Sequence, residues 1–180
     1  MNKLLCFYLQ NISMNKICSV YLPILLSMPM IHLNLPQYQF KYRMEDNQRQ
    51  IFDVIRKKYV SLTPEEWVRQ NFLQYLICEK HYPPALISVE HEFRLNRLSK
   101  RCDAVVFSTS GIPRLIIELK SPDVSINQQV FDQIYRYNLK IRASYLMVSN
   151  GLKHYCCKVD YESNSCVFLD TIPDYSVIRE

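Results

Sequence analysis

The stretch RCDAVVFSTSGIPRLIIELKSP, residues 101–122, sets three charged side chains into two apolar runs. Asp103 heads the first run, and Glu118 and Lys120 interrupt the second. Ser110-Gly111 is the natural turn centre between them. A hairpin folded about that centre puts Asp103 directly opposite Glu118, and Lys120, two residues on, projects from the same face as Glu118. Two carboxylates so placed repel each other. A hard cation reverses the sign: Mg²⁺ takes oxygen ligands, typically one or two carboxylates, and keeps waters and phosphate oxygens as the rest. An ion held there lowers the pKa of its water and stabilises an in-line displacement at phosphorus. A neighbouring ammonium helps position or deprotonate the attacking water. The bland alternative is an acid at a strand start and a solvated Glu-x-Lys salt bridge on an edge strand. Each charge taken alone fits that account; their joint embedding beside AVVF and RLII favours a site.

The elements around this hairpin must hold it in register. LPQYQFKYR alternates, with Tyr38, Phe40 and Tyr42 on one face, and predicts a half-buried strand. MEDNQRQ reads as a polar connection, and IFDVIRKKYV as a second extended segment whose Arg56, Lys57 and Lys58 form a solvated basic end in preference to a phosphate contact. TPEEWVRQNFLQYLICEK predicts a helix: Thr63 as N-cap, Pro64 in the first helical position, Glu66 closing a capping box, and Val68, Phe72 and Leu76 on one face. ALISVEHEFRL is a strand, and VSINQQVFDQIYRYNLKI a second helix with Ser125 as N-cap and Ile126, Val130 and Ile134 on one face. SYLMVSN reads as a central strand, followed by strands at KHYCCKVD and SCVFLDTI. This order gives an α/β (α+β) fold, a mixed sheet with one helix before it and another crossing over it.

Composition narrows the chemistry. The chain has 180 residues, 48% of them apolar, and a net charge of +5, which permits a polyanionic partner without requiring one. Only two glycines occur, Gly111 and Gly151, so neither a P-loop nor a dinucleotide fingerprint can form. The seven cysteines are scattered without a CxxC pair, which argues against zinc and for free thiols in a reducing cytoplasm. Residues 1–30 are apolar but broken by Asn11, Asn15, Lys16, Pro23 and Pro29, too interrupted for a membrane span. They read as an atypical N-terminal extension with an over-extended start, the natural chain beginning near Met28 or Met30. No stable membrane association is expected. Residues 31–180 read as one domain.

Asp103, followed on the next strand by Glu118-x-Lys120, resembles the core of the PD-(D/E)xK nuclease superfamily. In QIYRY, Gln133 and Tyr137 share a helical face and resemble the QxxxY motif of part of that superfamily. PEEWVRQ, RCDAVVF, IIELKSP and VSNGLKHY together are similar to the N-terminal nuclease domain of type I restriction enzyme R subunits, and more closely to stand-alone proteins built from it. The resemblance spans roughly residues 32–175. Cys102 stands where the family name has proline, and the helicase motor of R subunits has no counterpart here.

That resemblance implies a restriction-endonuclease-like mixed central β-sheet flanked by helices, and a Mg²⁺-dependent DNA endonuclease with Mn²⁺ as a substitute ion. Asp103 and Glu118 would bind metal, with the Leu119 backbone carbonyl as a further ligand, and Lys120 would serve the attacking water. Gln133 and Tyr137 would support the site or touch the DNA backbone. Glu66 is either another acidic ligand or simply a capping residue. DNA is the implied partner, along with a specificity or motor subunit acting in trans. A catalytically silent DNA-binding or protein-interaction module that kept the nuclease fold is the alternative. Among other polar residues, His154 reads as packing or surface, Glu90 and Glu92 as a solvated strand face, and Arg136 as either a phosphate contact or a salt bridge.

Overall fold

The computed structural model describes residues 31–180 apart from 96 and 97. The apolar extension at 1–30, with its expected over-extended start, lies outside the described residues. Three strands come first: β1 (Tyr42–Glu45), β2 (Gln48–Asp53) and β3 (Lys58–Ser61) make a small antiparallel sheet in that order. Asp46 and Asn47 turn β1 into β2 with φ of 48° and 59°, the left-handed pair a tight hairpin needs and that Asp and Asn tolerate. The MEDNQRQ segment is therefore a hairpin tip rather than a connection. Residues 36–41 lie outside any strand, against the alternation read in LPQYQFKYR. The turn aligns Tyr42–Glu45 with Gln48–Ile51, and upstream of it Phe40 packs edge-on to Trp67 with ring centroids 5.5 Å apart. Alternation specifies a strand only where a neighbour is long enough to pair with it.

IFDVIRKKYV is likewise two strands with a turn between them. The Asp53 carboxylate accepts the backbone N–H groups of Ile55 and Arg56, both at 2.8 Å, which closes the loop as an Asx turn.

Six strands form the main sheet: β4 (Ile87–Leu95), β5 (Leu98–Phe107), β6 (Pro113–Leu119), β7 (Tyr145–Ser149), β8 (His154–Asp160) and β9 (Ser165–Leu169). Their spatial order is their sequence order. Every neighbouring pair is antiparallel except β6 and β7, which run parallel. Helix α2 (Gln128–Ile141) makes the crossover that a parallel pair requires. Helix α1 (Pro64–Cys78) precedes the sheet, and a short α3 (Tyr175–Ile178) ends the chain. Leu33–Glu180 forms one compact unit.

The sheet separates two apolar layers. On one side Val68, Phe72, Leu73 and Leu76 of α1 pack on Ala104, Val106, Leu115, Ile117 and Met147. On the other, Val130 and Ile134 of α2 pack on Val105, Ile116, Leu146 and Val148. Adjacent Cys156 and Cys157 fall into different layers, as strand alternation requires. Fully burying side chains of this size stabilises a fold by about 1.5–3 kcal/mol each, so the β5–β6 hairpin is held from both faces. Its register follows the expected turn: Ala104 faces Ile117, Val105 faces Ile116 and Val106 faces Leu115. A register shift between Val106 and Phe107 lengthens the loop, which Gly111 turns at φ +79°.

Helix α1 starts as expected, with Thr63 Oγ1 accepting the Glu66 N–H at 3.0 Å. Helix α2 does not start from Ser125. Asn127 caps it, its Oδ1 accepting from the N–H groups of Gln129 and Val130 at 3.1 and 3.4 Å. Both residue types cap well; Asn127 is the one directly preceding the first helical turn. Among the described residues no helix is long and apolar enough to cross a membrane.

Candidate active site

Asp103 and Glu118 are the next residues on each strand beyond the Ala104–Ile117 pair, at the end of β6 that abuts β7. The Asp103 carboxylate bridges outward from the hairpin: Oδ2 accepts the Leu119 N–H at 2.6 Å and Oδ1 accepts from Arg69 Nη2 of α1 at 2.5 Å. The Leu119 backbone thus connects the two acids. Glu118 Oε1 accepts from Lys120 Nζ at 2.6 Å and from Gln133 Nε2 at 2.7 Å. The same Gln133 amide donates to Tyr137 Oη at 3.3 Å. Helix α2 delivers Gln133 and Tyr137 one turn apart, and the Lys120 N–H bonded to Ser149 O at 2.9 Å fixes the end of β6.

The electrostatics are those of a crowded acid pair. Burial, then the Asp103 charge, push the Glu118 carboxyl up to about 7, although Lys120 pulls it down. Burial works against the Lys120 ammonium, but its bond to Glu118 and the surrounding carboxylates win and raise it. The hairpin and α2 therefore link Lys120, Glu118, Gln133 and Tyr137 by hydrogen bonds, and Asp103 joins them through the Leu119 N–H.

Glu66 departs from its expected capping box. Its N–H meets Thr63, but the Thr63 N–H goes to Ser61 O at 3.1 Å, and the Glu66 carboxylate turns into the protein. There Oε1 accepts from Arg56 Nη2 and Gln70 Nε2, both at 2.8 Å, and Oε2 accepts from Arg69 Nη1. Buried with two guanidiniums beside it, Glu66 reaches Asp103 only through Arg69.

Arg56 is no solvated strand end. Its side chain is 13% exposed and pairs with Asp53 at 2.5 Å, Glu90 at 2.5 Å and Glu66 at 2.8 Å. The turn after Asp53 folds it inward, whereas Lys58 stays exposed. Burial pushes the Asp53 carboxyl up, but the bonds from Arg56 and Gln70 outweigh it and hold it below the usual carboxylate range. Glu90 sits at φ +53°, where strand pairing skips it and Asp103 between Val89–Ala104 and His91–Cys102. That left-handed kink, a strained conformation for a glutamate, turns Glu90 to Arg56 and to Arg101 at 3.2 Å. Glu90 is therefore ion-paired rather than solvated, while Glu92 is exposed.

Asp53, Arg56, Arg69 and Gln70 are the polar residues that sequence reasoning missed. For two of them a signal existed, because Arg69 follows Glu66 by three positions and Gln70 follows it by four, both helix-face spacings. Asp53 and Arg56 had none until the turn between them was recognised. His154 holds structure: its Nε2 donates to Asn34 O at 3.0 Å, which leaves Nδ1 to accept from Ser149 Oγ at 2.8 Å.

Among the described residues no three His, Cys, Asp or Glu side chains converge into a ready cation cage. The donor chemistry nevertheless suits Mg²⁺, which asks for only one or two carboxylates and retains water. The bonds from Lys120 and Gln133 both fall on Oε1 of Glu118.

Residues 64–173 match the Type I restriction enzyme R protein N terminus (HSDR_N) family. The fragment structure of a putative HsdR subunit of a type I restriction enzyme from Vibrio vulnificus YJ016 is similar at 17% identity with a TM-score of 0.50, over 65% of this chain and 24% of that one. The crystal structure of a putative nuclease belonging to DUF820 from Anabaena variabilis ATCC 29413 is similar at 16% identity with a TM-score of 0.44, over 80% of this chain and 87% of that one. This chain thus spans about a quarter of the Vibrio fragment, and at that identity the likeness is one of fold. No curated protein matches. The family match begins at the first residue of α1, takes in the charged hairpin and α2, and ends beyond β9, covering well over half of the residues. On that match, this chain belongs to the family of type I restriction enzyme R protein N-terminal domains.

Proposed function

We propose that this domain is a Mg²⁺-dependent DNA endonuclease that hydrolyses phosphodiester bonds in a restriction or defence setting, with Mn²⁺ able to replace Mg²⁺. The observation that carries the reading is the convergence of Asp103 and Glu118 on adjacent antiparallel strands, with Lys120 bonded to Glu118. Asp103 and Glu118 would hold the ion, with the Leu119 carbonyl completing the protein's share. Bound there, Mg²⁺ would polarise water and offset the charge that develops on a phosphodiester under attack.

The chain's own groups do the rest. The Lys120 ammonium is fixed by Glu118 within reach of the same space and neutralises charge arising there. Gln133 orients the Glu118 carboxylate by donating to Oε1, and Tyr137 orients Gln133 in turn. Arg69 fixes the plane of Asp103 from the opposite layer. A specificity or motor subunit acting in trans would supply targeting.

One observation favours a second reading, a silent DNA-binding module: both Asp103 oxygens already accept from protein donors. Calorimetric titration with Mn²⁺ separates the two, alongside plasmid cleavage in Mg²⁺. A nuclease binds the ion, loses it in Glu118→Ala, and loses cleavage in Asp103→Ala and Lys120→Ala. Absence of both ion binding and cleavage in the parent protein would leave the silent module standing.

A further inference from the structure

An open cleft of about 340 Å³ is lined by Lys100, Gln133, Arg136 and Tyr137, one side chain away from Glu118. We propose that it holds a phosphodiester of the DNA backbone next to the one cleaved, with Lys100 and Arg136 as its cationic walls. The proposal rests on the nuclease reading for the identity of the ligand, and on the following geometry for its place.

Lys100 is delivered by β5, directly across from Phe93 of β4. Cross-strand partners project from one face of a sheet, and Phe93 packs edge-on against Tyr137 of α2 with ring centroids 5.2 Å apart. Lys100 therefore rises on the α2 side of the sheet. Arg136 faces it from the helix, its Nε donating to the Asp132 carbonyl at 3.1 Å, which holds the guanidinium out over the cleft. Both side chains are exposed, and among the described residues neither pairs with a carboxylate. The other arginines and lysines close to the acid pair, Arg56, Arg69 and Lys120, are all engaged by acids.

The position matters as much as the charge. Gln133 lines the cleft with one part of its side chain and donates to Glu118 with its amide. A phosphate between Lys100 and Arg136 is therefore one side chain away from the acids. Arg offers a planar fork and Lys a point charge, and both suit the oxygens of a phosphodiester. A contact to phosphate oxygens positions a strand without selecting sequence.

The test measures binding rather than turnover. Fluorescence anisotropy of a short labelled DNA duplex, in EDTA and across a salt series, compares the parent with Lys100→Ala/Arg136→Ala. The control pair is Lys158→Ala/Arg179→Ala, which removes the same charge from exposed residues elsewhere. The cleft pair is expected to weaken binding roughly tenfold at moderate salt and to flatten the dependence of log K on log salt by about 1–2. The control pair should do neither. Unchanged affinity and slope in a folded cleft variant would overturn the assignment, as would an equal loss in the control. The nuclease reading fails separately, on Mn²⁺ calorimetry and plasmid cleavage. A parent that cleaves while the cleft pair binds like wild type overturns the cleft alone; a parent that neither binds duplex nor cleaves overturns both.

Discussion

The two carboxylates of the charged hairpin keep different company. Asp103 joins a network of ion pairs in which carboxylates outnumber guanidiniums: Asp53, Glu66 and Glu90 share Arg56, while Glu65, Glu66 and Asp103 share Arg69. Glu118 faces α2, where only Lys120 offsets it and the remaining donor is the neutral amide of Gln133. The ion-paired side ties together the first hairpin, α1, β4 and β5. The sparse side leaves a carboxyl that burial and the Asp103 charge hold above the usual carboxylate range. Support and reactivity are thus divided between the partners of two neighbouring carboxylates.

That contrast can be broken, beginning with its strongest member. Arg69→Met strips the counter-charge from Asp103 and one of the two guanidiniums from Glu66, and should cost about 3–5 kcal/mol, as removal of one partner from a buried pair does. Urea denaturation would register it as a lower midpoint with an unchanged slope. Asp53→Asn should cost about 2 kcal/mol, the range for hydrogen bonds to charged groups. Its effect carries a pH signature. Because the folded state holds Asp53 below the usual carboxylate range, the stability it contributes is complete above its unfolded value of about 3.9 and is lost as pH falls through the folded one. The acid arm of the parent's stability curve should therefore flatten in the Asn variant.

Glu118→Gln should move the other way. A folded carboxyl raised to about 7 costs stability increasingly as pH climbs from its unfolded value to that point. Without metal, the Gln variant is expected to be more stable than the parent at pH 8 by on the order of 1–3 kcal/mol, the gain fading towards pH 4. Thermal melts in EDTA at the two pH values decide it; a Gln variant less stable at pH 8 would mean the two carboxylates do not differ electrostatically. At the small end, Glu92→Gln on the exposed part of β4 should change stability by no more than about 0.5 kcal/mol, which checks that the larger effects belong to the buried network.

The hairpin and both long helices were legible because their information is local. Ser110-Gly111 sets a register that the β5–β6 ladder keeps, Thr63 and Pro64 open α1, and the four-residue spacing of Gln133 and Tyr137 puts them on one face of α2. What escaped was nonlocal. Arg56 looked like a solvated base because nothing in its neighbourhood shows that an Asx turn at Asp53 would swing it towards α1. Glu66 looked like a capping residue because its N–H does meet Thr63, and only the tertiary fold brings up the guanidiniums that claim its carboxylate. The alternation across residues 36–42 misled for a related reason: a period of two carries no information about whether a partner strand exists.

The neighbouring thiols of β8 give this fold a built-in recorder. Cys156 belongs to the α1 layer and Cys157 to the α2 layer, and burial pushes both thiols up to about 12, so neither is a nucleophile while its layer is shut. Timed alkylation read by mass spectrometry on a single peptide would therefore report, from two consecutive residues, which half of the sandwich opens first when the protein breathes.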